Sequence, residues 1–348
     1  MRELLYAPLA FFYRLVVSFR HHLFDWGVLK SKKFDIPIIC IGNITVGGTG
    51  KTPMAEMLIA YMMRTHRVAL LSRGYGRKTK GYREVTPTDH YRQVGDEPLQ
   101  IKRKFPEVTV VVCEKRVEGI RRIREEHPEV NLIIMDDGFQ HRYVDPKVNV
   151  LMIDSTRPVQ SDSMLPLGTL RDLPDQFYRA HYFVVTKCPE KMAPIERRIL
   201  RNALVKYAYQ RIYYTRFESF TPKPIFADDA AEEPLLKGRQ VVALSGIGNP
   251  KPFLGTLGEW YEVVAEVTHD DHHVYRLRDI AQLEQLLKQY PDAAIVTTEK
   301  DAVKLMCRPE KVPVAVRRAL YYLPINIRFI EDSATDFLQR LAEDVSSN

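Results

Sequence analysis

The sequence predicts an α/β protein: a parallel sheet flanked by helices, a smaller second α/β unit, and an amphipathic helix in front of both. Three observations predict it. Short β-branched runs alternate with longer helical patterns, the signature of a parallel sheet with helices on its faces. The 348 residues suit two domains of about 150 residues with an appendage. Hydrophobic residues make up 45% and charged residues 27%, enough for a large core and too apolar for generic disorder.

Residues 1–33 form the appendage. Leu4–Tyr13 carries no charge, Arg14 interrupts, and Leu15–Phe19 is followed by Arg20. Neither run reaches the roughly 20 apolar residues that span a bilayer. No small-residue cleavage site follows, which argues against a signal peptide. At helical spacing Leu5, Leu9, Phe12, Val16, Phe19 and Leu23 share one face; Glu3, Arg14, Ser18, His21 and Asp25 share another. Pro8 is a candidate kink. Two environments satisfy this pattern: a membrane interface with cations toward anionic headgroups, or the protein's own core.

Strands are expected at Ile36–Ile41, Val68–Leu71, Val108–Val112, Leu132–Met135, Val148–Ile153 and Tyr182–Thr186. Ile212–Phe226 reads as extended chain, and the acidic stretch Ala227–Pro234 marks a boundary. The first unit is therefore placed at 34–227 and the second at 228–324, with strands near Val241–Ser245, Tyr261–Thr268 and Ala294–Thr298. Residues 325–348, a strand at Ile325–Ile330 and a helix at Asp332–Asp344, are expected to return to the first unit.

The loop after the first strand carries the chemistry. It reads Gly42-Asn43-Ile44-Thr45-Val46-Gly47-Gly48-Thr49-Gly50-Lys51-Thr52-Pro53, and a helical pattern begins at Met54. Glycines let backbone N–H groups wrap phosphate oxygens, a lysine reaches the β- and γ-phosphates, and a hydroxyl holds Mg²⁺. The helix N-terminus adds positive potential. Thr45, Val46, Gly47, Gly48, Thr49, Gly50, Lys51 and Thr52 are thus the expected nucleotide-binding residues. One departure stands out: Thr45 occupies the position of the usual first glycine of this P-loop.

Leu132–Met135 ends in Asp136-Asp137, where a P-loop fold places a Mg²⁺-organising aspartate. Asp136 is the expected metal ligand, beside Thr52, and Asp137 an assistant to the metal or the nucleophile. Other polar clusters admit two readings each. Gly95-Asp96-Glu97-Pro98 suits a reactive acid or a favourable helix N-terminus. Ser72–Arg77 ends a strand at the expected ligand edge, with Arg73 able to bind phosphate, or is a surface loop. Asp270-Asp271-His272-His273 has poor spacing for a metal and suits a proton-handling histidine or an exposed loop.

The four cysteines stand alone, so neither a disulfide scaffold nor a conventional zinc module is expected. The net charge of +7 fits partners that bear phosphate without choosing among them. The basic residues are scattered among acids with no aromatic-interleaved stripe, so nucleic acid is not an expected partner.

Taken together the motifs resemble one family, the tetraacyldisaccharide 4′-kinases, the lipid A 4′-kinases of Gram-negative bacteria. The resemblance rests on Gly42–Pro53, Leu71–Arg77, Val94–Pro98, Met135–His141, Leu165–Asp172, Ser245–Phe253, Asp271–His273 and Thr297–Lys304, in order along most of the chain. Thr45 is ordinary for that family. Leu165–Asp172 departs from it, since the family more often ends this motif in glutamate.

The resemblance implies transfer of phosphate from ATP to the 4′-hydroxyl of a tetraacylated glucosamine disaccharide 1-phosphate, giving lipid IVA in lipid A biosynthesis. It also implies a monotopic enzyme, expected as a monomer, on the cytoplasmic face of the inner membrane and against its anionic surface. By the same resemblance Asp96 is the base, with His272 beside it across a cleft that closes, and Lys51 and Asp137 complete the catalytic set. Arg73, Tyr75, Arg116, His141 and Arg171 are expected to face the substrate headgroup or its 1-phosphate. The competing reading is a membrane-associated P-loop ATPase that phosphorylates nothing.

Overall fold

The computed structural model describes residues 2–226 and 235–347. The expected acidic boundary at Ala227–Pro234 lies outside the described residues. In chain order the elements that position the site are α1 (Arg2–Asp25), β1 (Ile38–Gly42), α2 (Lys51–Met62), β2 (Val68–Ser72), β3 (Arg83–Glu84), α3 (Tyr91–Val94), α4 (Asp96–Lys104), β4 (Thr109–Val112), α5 (Arg116–Glu126), β5 (Leu132–Met135), β6 (Val148–Asp154), β7 (Tyr182–Thr186), α6 (Pro194–Leu204), β8 (Arg211–Ser219) and β9 (Lys223–Pro224). The second half adds β10 (Gln240–Ser245), α7 (Lys251–Trp260), β11 (Glu262–Thr268), α8 (Leu277–Gln289), β12 (Ala294–Thr298), α9 (Glu299–Leu305), α10 (Val314–Ala319), β13 (Leu320–Leu323), β14 (Ile325–Phe329) and α11 (Ala334–Ser346).

The larger sheet has the order β14-β8-β7-β6-β1-β5-β2-β4-β3. From β8 to β4 all neighbours are parallel, while β14 and β3 close the edges antiparallel. Strands covered on both faces need apolar side chains on both, and every residue of β1, β2, β5, β6 and β7 is buried. Their carboxyl ends therefore share one edge, where Gly42, Ser72 and Met135 lead into the polar loops singled out above. The smaller sheet has the order β11-β10-β12-β13-β9. Ile212–Phe226, expected as one extended run, divides between the two sheets as β8 and β9, with Pro224 in the antiparallel pair at the smaller sheet's edge. The chain then comes back: β14 pairs with β8, and α11 packs Phe337 and Leu341 into the core under the larger sheet.

Helix α1 runs through Pro8 to Asp25 and lies against the first unit. It docks with Ala10, Tyr13, Val17, His21 and Phe24, a stripe at three- and four-residue spacing. His21 Nε2 lies 2.6 Å from Asp172, both buried, and Tyr13 donates its hydroxyl to the Arg171 carbonyl at 3.2 Å. Arg20 donates to the Gln140 carbonyl at 3.0 Å, and Arg142 holds Asp25 at 2.7 Å. Leu9, Phe12, Val16 and Phe19 stay between 53% and 67% exposed. The expected apolar face thus points outward, and a second stripe, apolar except for His21, docks. Among the described residues no helix is long and apolar enough to cross a membrane.

Candidate active site

The loop Asn43–Gly50 joins β1 to α2 and lies open at the sheet's carboxyl edge. Val46, Gly47 and Gly48 are exposed, while Thr45 and Thr49 are buried beneath. Positive φ occurs at Gly47 (100°) and Gly50 (89°) and not at Thr45, so the usual first glycine of a P-loop is dispensable at that position. A Cβ on Gly50 would also meet the Phe217 ring at 2.7 Å. Thr45 bridges Leu170, and Val46 N–H donates to the Thr169 carbonyl at 2.8 Å, which stitches the loop to its neighbour.

Asn43 organises this loop, a role the sequence reading missed. Its amide donates to the Thr45 carbonyl at 2.8 Å and to Thr49 Oγ1 at 2.9 Å, while its Oδ1 faces Lys51 Nζ at 3.4 Å. The only advance signal was a polar residue directly after a buried strand. Lys51 Nζ also lies 3.5 Å from Asp137 Oδ1. It opens α2, whose first N–H groups receive no side-chain cap and stay available to an anion.

The two acids after β5 differ sharply. Asp136 is 2% exposed; Ser72 Oγ donates to its Oδ2 at 3.2 Å, and its Oδ1 has no partner among the described residues. Burial first, then Glu97 and Asp137, push its pKa up to about 7. An orphaned carboxylate oxygen beside a P-loop fits a divalent cation, which would supply the missing charge. Asp137 goes the other way. Burial raises its pKa, but Arg171, Lys51 and Arg116 outweigh that and hold it far below the usual carboxylate range. Arg171 grips both its oxygens and also reaches Asn43.

Those contacts correct two expectations. Arg116 is 2% exposed: it donates to the Cys113 carbonyl at 2.7 Å and to the Asp136 carbonyl at 3.3 Å, so it supports the acids from inside instead of facing a headgroup. Arg171 is committed to Asp137 and Asn43. Arg73 and Tyr75 remain exposed at the edge, as expected of ligand-facing groups. His141 is half-buried. Burial, then Arg116, Arg20 and Arg73, push its pKa down to about 4, so it stays neutral within a cationic surround suited to phosphate.

Asp96 and His272, which come from different units, meet here. Asp96 opens α4 and is 5% exposed; His272 Nδ1 lies 2.9 Å from its Oδ2. Burial raises the Asp96 pKa, but the His272 hydrogen bond and the Lys300 charge outweigh it and hold the carboxyl below its ordinary value. His272 has φ of 59°, and the Tyr75 ring packs on it with centroids 5.0 Å apart. The units are further tied by Lys104, which pairs with Glu56 at 2.6 Å and Glu299 at 3.2 Å, and by Arg103 on the Val303 carbonyl at 2.9 Å.

This constellation has relatives. The family described as tetraacyldisaccharide-1-P 4′-kinase (LpxK) matches residues 2–344. The chain belongs to that family. A tetraacyldisaccharide 4′-kinase of Phocaeicola vulgatus is 37% identical over 347 residues, covering 98% of this chain and 94% of that one. One from Bacteroides thetaiotaomicron is 38% identical over 353 residues, covering 98% and 93%. Among solved structures, an "apo" form LpxK from Aquifex aeolicus in complex with ATP matches with a TM-score of 0.74 and 26% identity, over 99% of this chain and 100% of that one.

As a member of that family, the chain is a kinase that uses ATP. The structure also accounts for the aspartate where the LpxK motif more often has glutamate. Asp172 faces inward, holding His21 at 2.6 Å and Arg179 at 3.5 Å. The short acid therefore anchors α1.

Proposed function

We propose that this kinase transfers the γ-phosphoryl group of ATP to the 4′-hydroxyl of a tetraacylated glucosamine disaccharide 1-phosphate, at the cytoplasmic face of a bacterial inner membrane, as a monomer. The observation that carries this reading is the meeting of a phosphate loop with a buried acid–imidazole pair at one sheet edge.

The loop amides and Lys51 hold the β- and γ-phosphates, and Gly47 and Gly50 provide the turn geometry. Thr52 and Asp136 would hold Mg²⁺, which when bound neutralises charge on the phosphates. Asp137, kept ionised by Arg171, balances Lys51 until the nucleotide arrives. Asp96 takes the proton of the 4′-hydroxyl as that oxygen bonds to the γ-phosphorus and the bond to the β,γ-bridging oxygen breaks. ADP leaves with the bridging oxygen. A carboxylate suffices as base because the proton departs late in a loose transition state. Arg73, Tyr75 and His141 line the approach to the acceptor and favour its anionic groups.

Incubation with ATP and an extracted acylated disaccharide monophosphate tests the reading: mass analysis should find one added phosphate on the lipid. Release of free phosphate with no change in lipid mass would reject it.

The outward apolar face of α1 supports membrane contact. A substrate with several acyl chains leaves a bilayer only at about 0.8 kcal/mol per exposed CH₂, so the enzyme must reach it there. The triple variant Phe12→Asp, Val16→Asp, Phe19→Asp should reduce vesicle binding at least ~10²-fold, since three apolar side chains lose their lipid contact. ATP affinity should hold, because α1 docks through its opposite face. Vesicle co-sedimentation beside an ATP-binding titration measures both. Undiminished sedimentation would exclude this face as the anchor.

A further inference from the structure

We propose that Lys300 is a positioning residue of the phosphoryl-transfer site: it fixes the proton of His272 on Nδ1 and so aims that N–H at Asp96. The proposal rests on the Asp96–His272 reading above and assigns a function to a residue outside both.

Lys300 is the second residue of α9, directly after β12. The turn that launches it is rigid. Thr298 caps α9 by accepting the Asp301 N–H at 3.2 Å. Asp301, fully buried, takes the Gly246 N–H at 2.8 Å and Lys304 Nζ at 2.9 Å. From that base the Lys300 side chain crosses to the first unit. Its Nζ lies 3.2 Å from His272 Nε2, 3.3 Å from Asp271, 3.6 Å from Glu97 and 3.8 Å from Asp96.

The donor and acceptor inventory settles the proton positions. An ammonium has three N–H donors and no lone pair, so His272 Nε2 must be the acceptor. A neutral imidazole then carries its single proton on Nδ1, which lies 2.9 Å from Asp96 Oδ2 and donates to it. The charged groups facing the pair are Asp96 and Glu97 from α4, Asp271 from the loop after β11, and Lys300 and Lys304 from α9. Burial lowers the proton affinity of Lys300. Asp96, Glu97 and Asp271 outweigh that and raise it above the ordinary lysine range, so the cation persists at every assay pH.

Removal of the cation therefore has a signed consequence. Without it Asp96 binds a proton more readily, and the His272 proton is free to move from Nδ1 to Nε2. The gain in proton affinity at Asp96 moves the acidic limb of the rate profile upward.

The experiment measures kcat and KM against pH, with ATP and the acylated acceptor, for the wild type, K300M, K300R and D96N. K300M should show the acidic limb about one pH unit higher, the scale of losing one opposite charge at this range. At a pH on that limb this is about a tenfold loss of kcat. KM for ATP should stay within about twofold, because the contacts of Lys300 go to His272, Asp271, Glu97 and Asp96 and none to the loop Thr45–Thr52. K300R keeps the charge and should return the limb to its wild-type position. A K300M limb that does not move, with kcat and KM altered together, overturns the proposal and leaves Lys300 as a tie between the units. Should K300M fail to bind ATP, K300R decides: an upward-shifted limb in that variant overturns the proposal, and an unshifted one upholds it. The base assignment fails separately: D96N with near wild-type kcat and an intact limb overturns it whatever Lys300 does.

Discussion

Lys51→Ala lowers phosphoryl transfer at least ~10²-fold at saturating ATP, the scale of losing one preorganised electrostatic donor. Lys51 Nζ lies 3.4 Å from Asn43 Oδ1 and 3.5 Å from Asp137, so in the free enzyme its charge rests against groups of the site itself. Once ATP is bound, that charge faces the transferring phosphoryl group, where it strengthens as negative charge moves toward the leaving oxygen. The fold should survive the change. Asp137 keeps both hydrogen bonds from Arg171, and the loop keeps the Asn43 amide bonds to Thr45 and Thr49. Turnover of the lipid acceptor, with circular dichroism as the control on folding, makes the test. Near-normal turnover would remove the nucleotide from this loop.

The second large effect concerns Asp96 and His272. Asp96→Asn and His272→Ala should each lower kcat by ~10²–10⁴-fold, the range for help from a positioned base. The double variant should lose much less than the product of the two, because groups that act as a unit are not additive. Losses that multiply would defeat the paired reading even with each residue mattering alone. A purely structural Asp96 gives a different result. Its Oδ1 accepts the Glu97 N–H at 3.0 Å, a contact Asn retains, so Asp96→Asn would then be almost silent.

The pH dependence has a worked sign. A base is active while deprotonated, so activity is lost as pH falls through its pKa. Burial raises the Asp96 pKa, and the His272 hydrogen bond with the Lys300 charge more than reverses this. The limb should therefore lie below the ordinary carboxylate range, and Asp96→Asn should abolish it.

Reading the chain alone recovers what is carried by contiguous residues. The P-loop is such a feature: its glycines, Lys51 and Thr52 lie within one strand–turn–helix segment, so spacing determines geometry. The alternation of buried strands with helices is another, since a strand covered on both faces is apolar throughout. The acids after β5 were legible for the same reason: a strand's end places them at the ligand edge.

Tertiary structure decided everything that depends on which distant groups meet. Asp96 and His272 are 176 residues apart, and nothing within either motif names the other; only the docking of α9 against α4 brings them together and sets Lys300 beside both. Arg116 and Arg171 look alike in sequence to Arg73, yet one is buried under Asp136 and another is held by Asp137, because a guanidinium's direction follows from its neighbours and not from its own type. In α1 the sequence determined that an apolar stripe exists. The structure decided that Phe12, Val16 and Phe19 face outward while Tyr13, Val17 and His21 dock. Periodicity divides a helix into faces, but what covers each face depends on the buried acid at Asp172, which lies 151 residues downstream of His21.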